Sequence, residues 1–117
     1  GLLGHTLEMA RGANLTAHLD SRAIPFLPNV IDLASSGIKT GASGRNWASY
    51  GAGVDISAGA PPFLQDLLTD PQTAGGLLVA CAPDARESVL KTFRSHGFDR
   101  ATVIGELEAG PARVVVR

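Results

Sequence analysis

The chain has 117 residues, enough for one domain with a modest core. Hydrophobic residues make up 44% and charged residues 18%, ordinary globular usage that argues against disorder. Ten basic and eleven acidic residues leave a net charge of -1, without the basic excess of a nucleic-acid-binding face.

The first residues already read as the inside of a helix, with Leu3, Leu7 and Ala10 at helical spacing over 2–11 and Gly12 just past its end. A start of this kind, on Gly1 rather than methionine, is expected of a piece cut from a longer protein. Leu15-Thr16-Ala17-His18-Leu19 alternates apolar and polar and predicts a strand with one buried face. Pro28 suits the first turn of a second helix with Val30, Ile31, Leu33 and Ala34 on its apolar side, ended by Gly37.

From Ile38 to Tyr50 no clean period is visible. Lys39 to Trp47 reads as a polar, glycine-rich loop, of a length usually functional or mobile in a compact domain. Val54-Asp55-Ile56 is a short strand. Pro61 and Pro62 open a helix carrying Phe63, Leu64, Leu67 and Leu68, which must stop at Asp70 because Pro71 disfavours helical angles there.

Leu77 to Ala82 is continuously apolar, which predicts a central strand covered on both faces. Cys81, the single cysteine, lies within it and reads as a buried thiol in a reducing compartment. A disulfide framework is excluded, and so is a cysteine zinc site. Pro83 and Asp84 open a further helix with Ala85, Val89, Leu90 and Phe93 as its stripe, and Gly97-Phe98 as its cap. Residues 102–107 and 112–116 read as two strands, and the linker Glu108-Ala109-Gly110-Pro111 predicts that they pair as a hairpin. The apolar runs fall far short of the roughly 20 residues that cross a bilayer. Neither a signal peptide nor a lipidation motif is visible, so a cytoplasmic domain without membrane or nucleic-acid partners is expected. The fold class expected is α+β: a single domain, 1–117, with a mixed β-sheet and helices packed on it.

Three segments hold polar groups that no helix face or strand edge explains. Gly1-Leu2-Leu3-Gly4-His5 sets a histidine in the first turn of a helix, where free N–H donors can hold an anion. Arg45-Asn46-Trp47 offers a guanidinium fork suited to phosphate or carboxylate beside an amide that donates and accepts. Asp70-Pro71-Gln72-Thr73-Ala74-Gly75-Gly76 supplies two polar side chains, and glycines whose backbone N–H groups can form an anion-binding concavity. Each also has a plain reading: an exposed histidine, a surface arginine beside a tryptophan plug, and a turn that needs glycines. His5, His18 and His96 are scattered, without metal-ligand spacing, and the nucleotide-binding glycine motifs are absent.

Taken in order, Gly1-Leu2-Leu3-Gly4-His5 with Glu8-Met9-Ala10, Arg45-Asn46-Trp47, Asp70 to Leu78, and Val103-Ile104-Gly105-Glu106 resemble the C-terminal domain of selenophosphate synthetase (selenide, water dikinase). The likeness covers nearly the whole chain. It departs at Ala74, where many members of that family have serine, so no hydroxyl role is carried over. The resemblance implies the wider aminoimidazole ribonucleotide synthetase-related group and an α/β/α, partly ferredoxin-like domain. It implies a parent enzyme that makes selenophosphate from selenide and ATP, releasing AMP and phosphate, with magnesium. It implies that ATP and Mg2+ are held mainly by an N-terminal domain across a homodimer, and that the catalytic cysteine or selenocysteine lies in that half. Cys81 does not match that position. No catalytic residue and no metal ligand is therefore expected here, and the domain alone is expected to be inactive. His5, Arg45, Asn46, Gln72, Thr73, Gly75 and Gly76 would form a substrate- or phosphate-side wall. Two other readings are a piece of a related ATP-dependent synthetase and a non-catalytic packing or dimerisation module.

Overall fold

Leu3, Leu7 and Ala10 stand on one side of the first helix and are almost completely buried there. The computed structural model describes residues 1–117, and that buried stripe organises them. The helix, α1 (Leu2–Ala13), continues two residues past the expected end. Asn14, not Gly12, is its left-handed cap (φ 55°), donating its N–H to the Arg11 carbonyl oxygen at 3.3 Å. Asparagine tolerates that conformation and so removes the need for glycine.

Beneath α1 lies a four-stranded sheet of β1 (Leu15–Leu19), β2 (Val54–Ile56), β3 (Gly105–Ala109) and β4 (Arg113–Val116), in the order β2-β4-β1-β3. β4 runs parallel to both β1 and β2, whereas β3 is antiparallel to β1. The sheet is mixed, as expected, but the hairpin is not formed. β3 and β4 flank β1 on opposite sides, and the linker between them crosses the end of β1. Two contacts hold the crossing: Thr16 donates its hydroxyl to the Pro111 carbonyl oxygen at 2.7 Å, and a Cβ on Gly110 would stand 2.6 Å from that same hydroxyl oxygen. This order puts Val114 and Val116 beside Ala17 and Leu19, on the face that α1 covers. Each strand alternates, so the opposite face carries Thr16, His18, Arg113 and Asp55, with Arg113 Nη2 2.7 Å from Asp55 Oδ2. Glutamates 106 and 108 fall on the exposed edge strand, where charge is tolerated.

Two more helices complete the core. α4 (Pro62–Thr69) follows the expected pattern: proline opens it, Leu64 and Leu68 are buried, and Asp70 leaves it in an extended conformation. α3 (Gly41–Tyr50) overturns the expected loop. Its two glycines cost about 1 kcal/mol each against alanine, but Trp47 and Tyr50 pack on the core and Ser43 is buried against α4. Tertiary packing supplies what local propensity does not. α2 (Val30–Ser35) is short and followed by Gly37 at φ 91°, as expected, but buries only Ala34.

The predicted central strand is absent. Leu77 to Ala82 belongs to no strand, and none of the backbone hydrogen bonds outside the regular elements involves Leu77 to Cys81. β1 and β4 occupy each other's edges and those facing β3 and β2, which leaves no interior position for a fifth strand. Leu77 is 76% exposed, and Cys81 is an exposed thiol rather than a buried one. After a 3-10 turn at Pro83–Ala85 comes α5 (Arg86–Ser95), whose apolar stripe contributes no buried residue. Its cap forms as expected. Gly97 lies at φ 84°, the Phe98 N–H reaches the Phe93 carbonyl at 3.0 Å, and the two phenylalanine rings meet edge to face, 6.3 Å apart.

Candidate functional site: the junction of α1, α3 and α4

His5, Glu8 and Arg11 recur every three residues along α1, so they follow one another along its surface. His5 Nδ1 lies 3.1 Å from Glu8 Oε2, and both side chains are open to solvent. Opposite them α3 contributes Asn46, Ser49 and Tyr50. Together with Gly1 and Gly4 these side chains line an open depression of about 280 Å³, most of it polar. Tyr50 rests on Gly4, where an added Cβ would approach its ring to 3.1 Å. The Tyr50 hydroxyl oxygen is enclosed without a well-aligned hydrogen bond. Burial pushes the phenol above its ordinary value of 10.0, and the adjacent Gly4 backbone offsets part of that effect.

The donors here are the Arg11 guanidinium, in the last turn of α1, and the imidazole of His5, in its first, with Glu8 between them as the one carboxylate. Such a set suits an anionic group lying along the side of the helix. Nowhere do three His, Cys, Asp or Glu side chains come together in a way that could hold a metal ion.

The structure brings His5 and Asn46 into one depression and sets the root of the Asp70–Gly76 turn beside them. Asn46 Nδ2 donates to the Thr69 carbonyl oxygen at 2.8 Å, and the backbone of Gly1 abuts Thr69 and Asp70. Gln72, Thr73, Gly75 and Gly76 lie beyond that root on an exposed turn, closed by the Gly75 N–H to the Gln72 carbonyl oxygen at 3.3 Å, and none of them lines the depression. Arg45 is not brought in either: its Nη1 donates back to the Gly41 carbonyl oxygen at 2.9 Å. Arg11, Ser49 and Tyr50 were not among the residues expected from sequence. The three-residue spacing of His5, Glu8 and Arg11 was the available signal for the first of them.

A second depression, about 230 Å³, lies between α2 and α4. Val30, Leu33, Ile38 and Leu67 make it largely apolar, with the Lys39–Asp66 ion pair (3.2 Å) at its rim. It holds none of the residues expected to bind an anion.

The profile of the AIR synthase related protein, C-terminal domain, matches residues 1–117. The chain belongs to that family. Within it, the domain is 61% identical over 116 residues to "Selenide, water dikinase" of Burkholderia ambifaria (strain MC40-6), 55% identical to that of Pseudomonas straminea and 49% identical to that of Rhizobium meliloti (strain 1021). Each match covers 99% of this chain and 32 or 33% of the relative, so the chain spans about a third of the length of these proteins. The α+β sheet-and-helix architecture agrees with that membership. No helix is long and apolar enough to cross a membrane.

Proposed function

We propose that the chain, residues 1–117, is the C-terminal domain of a selenide, water dikinase, an enzyme that makes selenophosphate from selenide, ATP and water and releases AMP and phosphate. The observation that carries this reading is the 61% identity over 116 residues to a protein of that name. The expected partners are an N-terminal domain, a second copy in a homodimer and the small-molecule substrate selenide, in the cytoplasm.

In this reading the junction of α1, α3 and α4 walls the phosphate or selenide side of the active site. Bound ATP supplies the phosphoryl groups and is held mainly by the N-terminal domain, as is the Mg2+ that accompanies it. What these residues supply is donated hydrogen bonds and positive charge where negative charge develops, the main requirement of phosphoryl transfer. His5 and Arg11 flank the depression with donors. Glu8 accepts from Nδ1–H of His5, so that Nε2 donates to an anion when the ring is protonated and takes up a proton when it is neutral. Gln72, Thr73, Gly75 and Gly76 extend the wall from its root. The exposed Arg45 spends one Nη1–H on the Gly41 carbonyl and keeps its other N–H groups for solvent or an anion.

The test is 31P NMR of the full-length protein incubated with ATP, Mg2+ and selenide. Selenophosphate and AMP are expected, and their absence would refute the reading. The 117-residue chain alone is expected to form no AMP in the same mixture.

A further inference from the structure

Two elements close on the last turn of α4 from different sides. From α3, Asn46 donates to the Thr69 carbonyl oxygen at 2.8 Å, and one turn earlier the buried Ser43 hydroxyl donates to the Asp66 carbonyl oxygen at 3.1 Å. From α1, Gly1 comes so close that an added Cβ would stand 2.7 Å from the Asp70 carbonyl oxygen and 2.8 Å from the Thr69 carbonyl carbon. Thr69 is itself wholly buried, and its hydroxyl donates to the Gln65 carbonyl oxygen at 2.8 Å.

The last carbonyls of a helix have no partner within it. Asn46 satisfies one of them where the chain leaves α4 and Pro71 prevents the helix from continuing. Past that point little holds the turn. Residues 71–77 are all exposed, and their one backbone hydrogen bond is internal, from Gly75 to Gln72. The position of the turn is therefore set at its root.

From this clamp we infer that Asn46 is a positioning residue: its amide fixes the root of the Asp70–Gly76 turn against α1 and is committed to Thr69 rather than offered to a ligand. Gly1 completes the clamp, because only a residue without a side chain lets α1 approach so closely. The anchoring of the turn's root follows from the contacts alone. Its consequence for turnover rests on the functional reading above.

Backbone 15N relaxation on the 117-residue chain reads the ordering directly. In the unaltered chain Gln72 to Gly76 should keep order parameters closer to the rigid value of about 0.85 than to the flexible range below about 0.6. Asn46→Ala should move them below about 0.6 while residues 86–95 keep theirs. Asn46→Asp preserves volume but turns the donor into an acceptor, so it should do the same and decides the matter should the alanine variant not fold. In the full-length enzyme both variants should lower kcat by about 10- to 100-fold, the scale of a displaced wall segment, with KM for ATP within about twofold. A turn already mobile in the unaltered chain, or unmoved by both variants, would overturn the inference. So would a raised KM for selenide at unchanged kcat, since that is the mark of an amide that binds substrate. Absence of selenophosphate from the unaltered enzyme would overturn the functional reading alone and leave the relaxation result to decide this one.

Discussion

Every buried residue of the chain lies between Leu3 and Thr69 or in β4; the stretch from Asp70 to Arg113 contributes none. Yet that stretch contains some of the most apolar sequence in the molecule. Leu77, Val79, Phe98 and Val103 are exposed, whereas Val114 and Val116, no more hydrophobic, are sealed beneath α1. The difference is one of pairing. β4 has β1 on one edge and β2 on the other, and its alternate side chains meet a helix. Leu77 to Ala82 has neither a ladder nor a cover. Apolar composition makes burial favourable, but a free strand edge and a facing helix are needed before it happens.

The contrast is sharpest in stability. Leu68→Ala, within the core, should destabilise the chain by about 2–5 kcal/mol in urea unfolding, whereas Leu77→Ala should stay within about 0.5 kcal/mol. A comparable loss at both would mean that Leu77 has a buried partner in solution and would erase the distinction between the two regions. Thiol chemistry probes the second region alone. Exposed Cys81 should react with a maleimide in the native protein nearly as fast as in urea, and strong protection would argue that the strand forms after all.

The polar seam of the first region should show a smaller effect. Ser43→Ala removes a buried hydroxyl from the Asp66 carbonyl and should cost about 1 kcal/mol; no change would mean that α3 and α4 are held by apolar contact alone. The smallest effect concerns pH. The folded pKa of Tyr50 lies above its unfolded value of 10.0. Below pH 10 both states are neutral and the group adds no pH dependence. Above it the unfolded chain ionises first, so stability falls as pH rises through the folded value. As Tyr50 is the only tyrosine, the phenolate band of the native protein reports it alone and should appear at higher pH than in the unfolded chain. Tyr50→Phe should abolish that part of the alkaline loss.

Legibility in the sequence follows the same division. β1, β2, α4 and the glycine caps at Gly37 and Gly97, though not the one expected at Gly12, could be read in advance because proline, glycine and strict alternation act locally. α3 could not, since half of its stripe is polar. Ser43, Asn46, Trp47 and Tyr50 recur at helical spacing, but serine and asparagine count as apolar-face residues only once Asp66 and Thr69 are seen to accept from them. The order β2-β4-β1-β3 was hidden for another reason: short linkers favour hairpins, whereas here the linker crosses β1 and is held by the Thr16–Pro111 bond and the close approach of Gly110. Of the candidate site, His5 and Asn46 were legible as chemistry-bearing residues, whereas the depression that joins them requires α3 to be a helix.

In the proposed function this depression is part of an active-site wall. His5→Ala in the full-length enzyme, assayed by AMP release in the presence of selenide, tests it most directly, with Leu33→Ala in the α2–α4 depression as the control. Loss of a charge-assisted hydrogen bond predicts that kcat/KM falls by about 10- to 100-fold for His5→Ala at unchanged Tm, and stays within about twofold for Leu33→Ala. Wild-type turnover by the His5 variant would contradict the account.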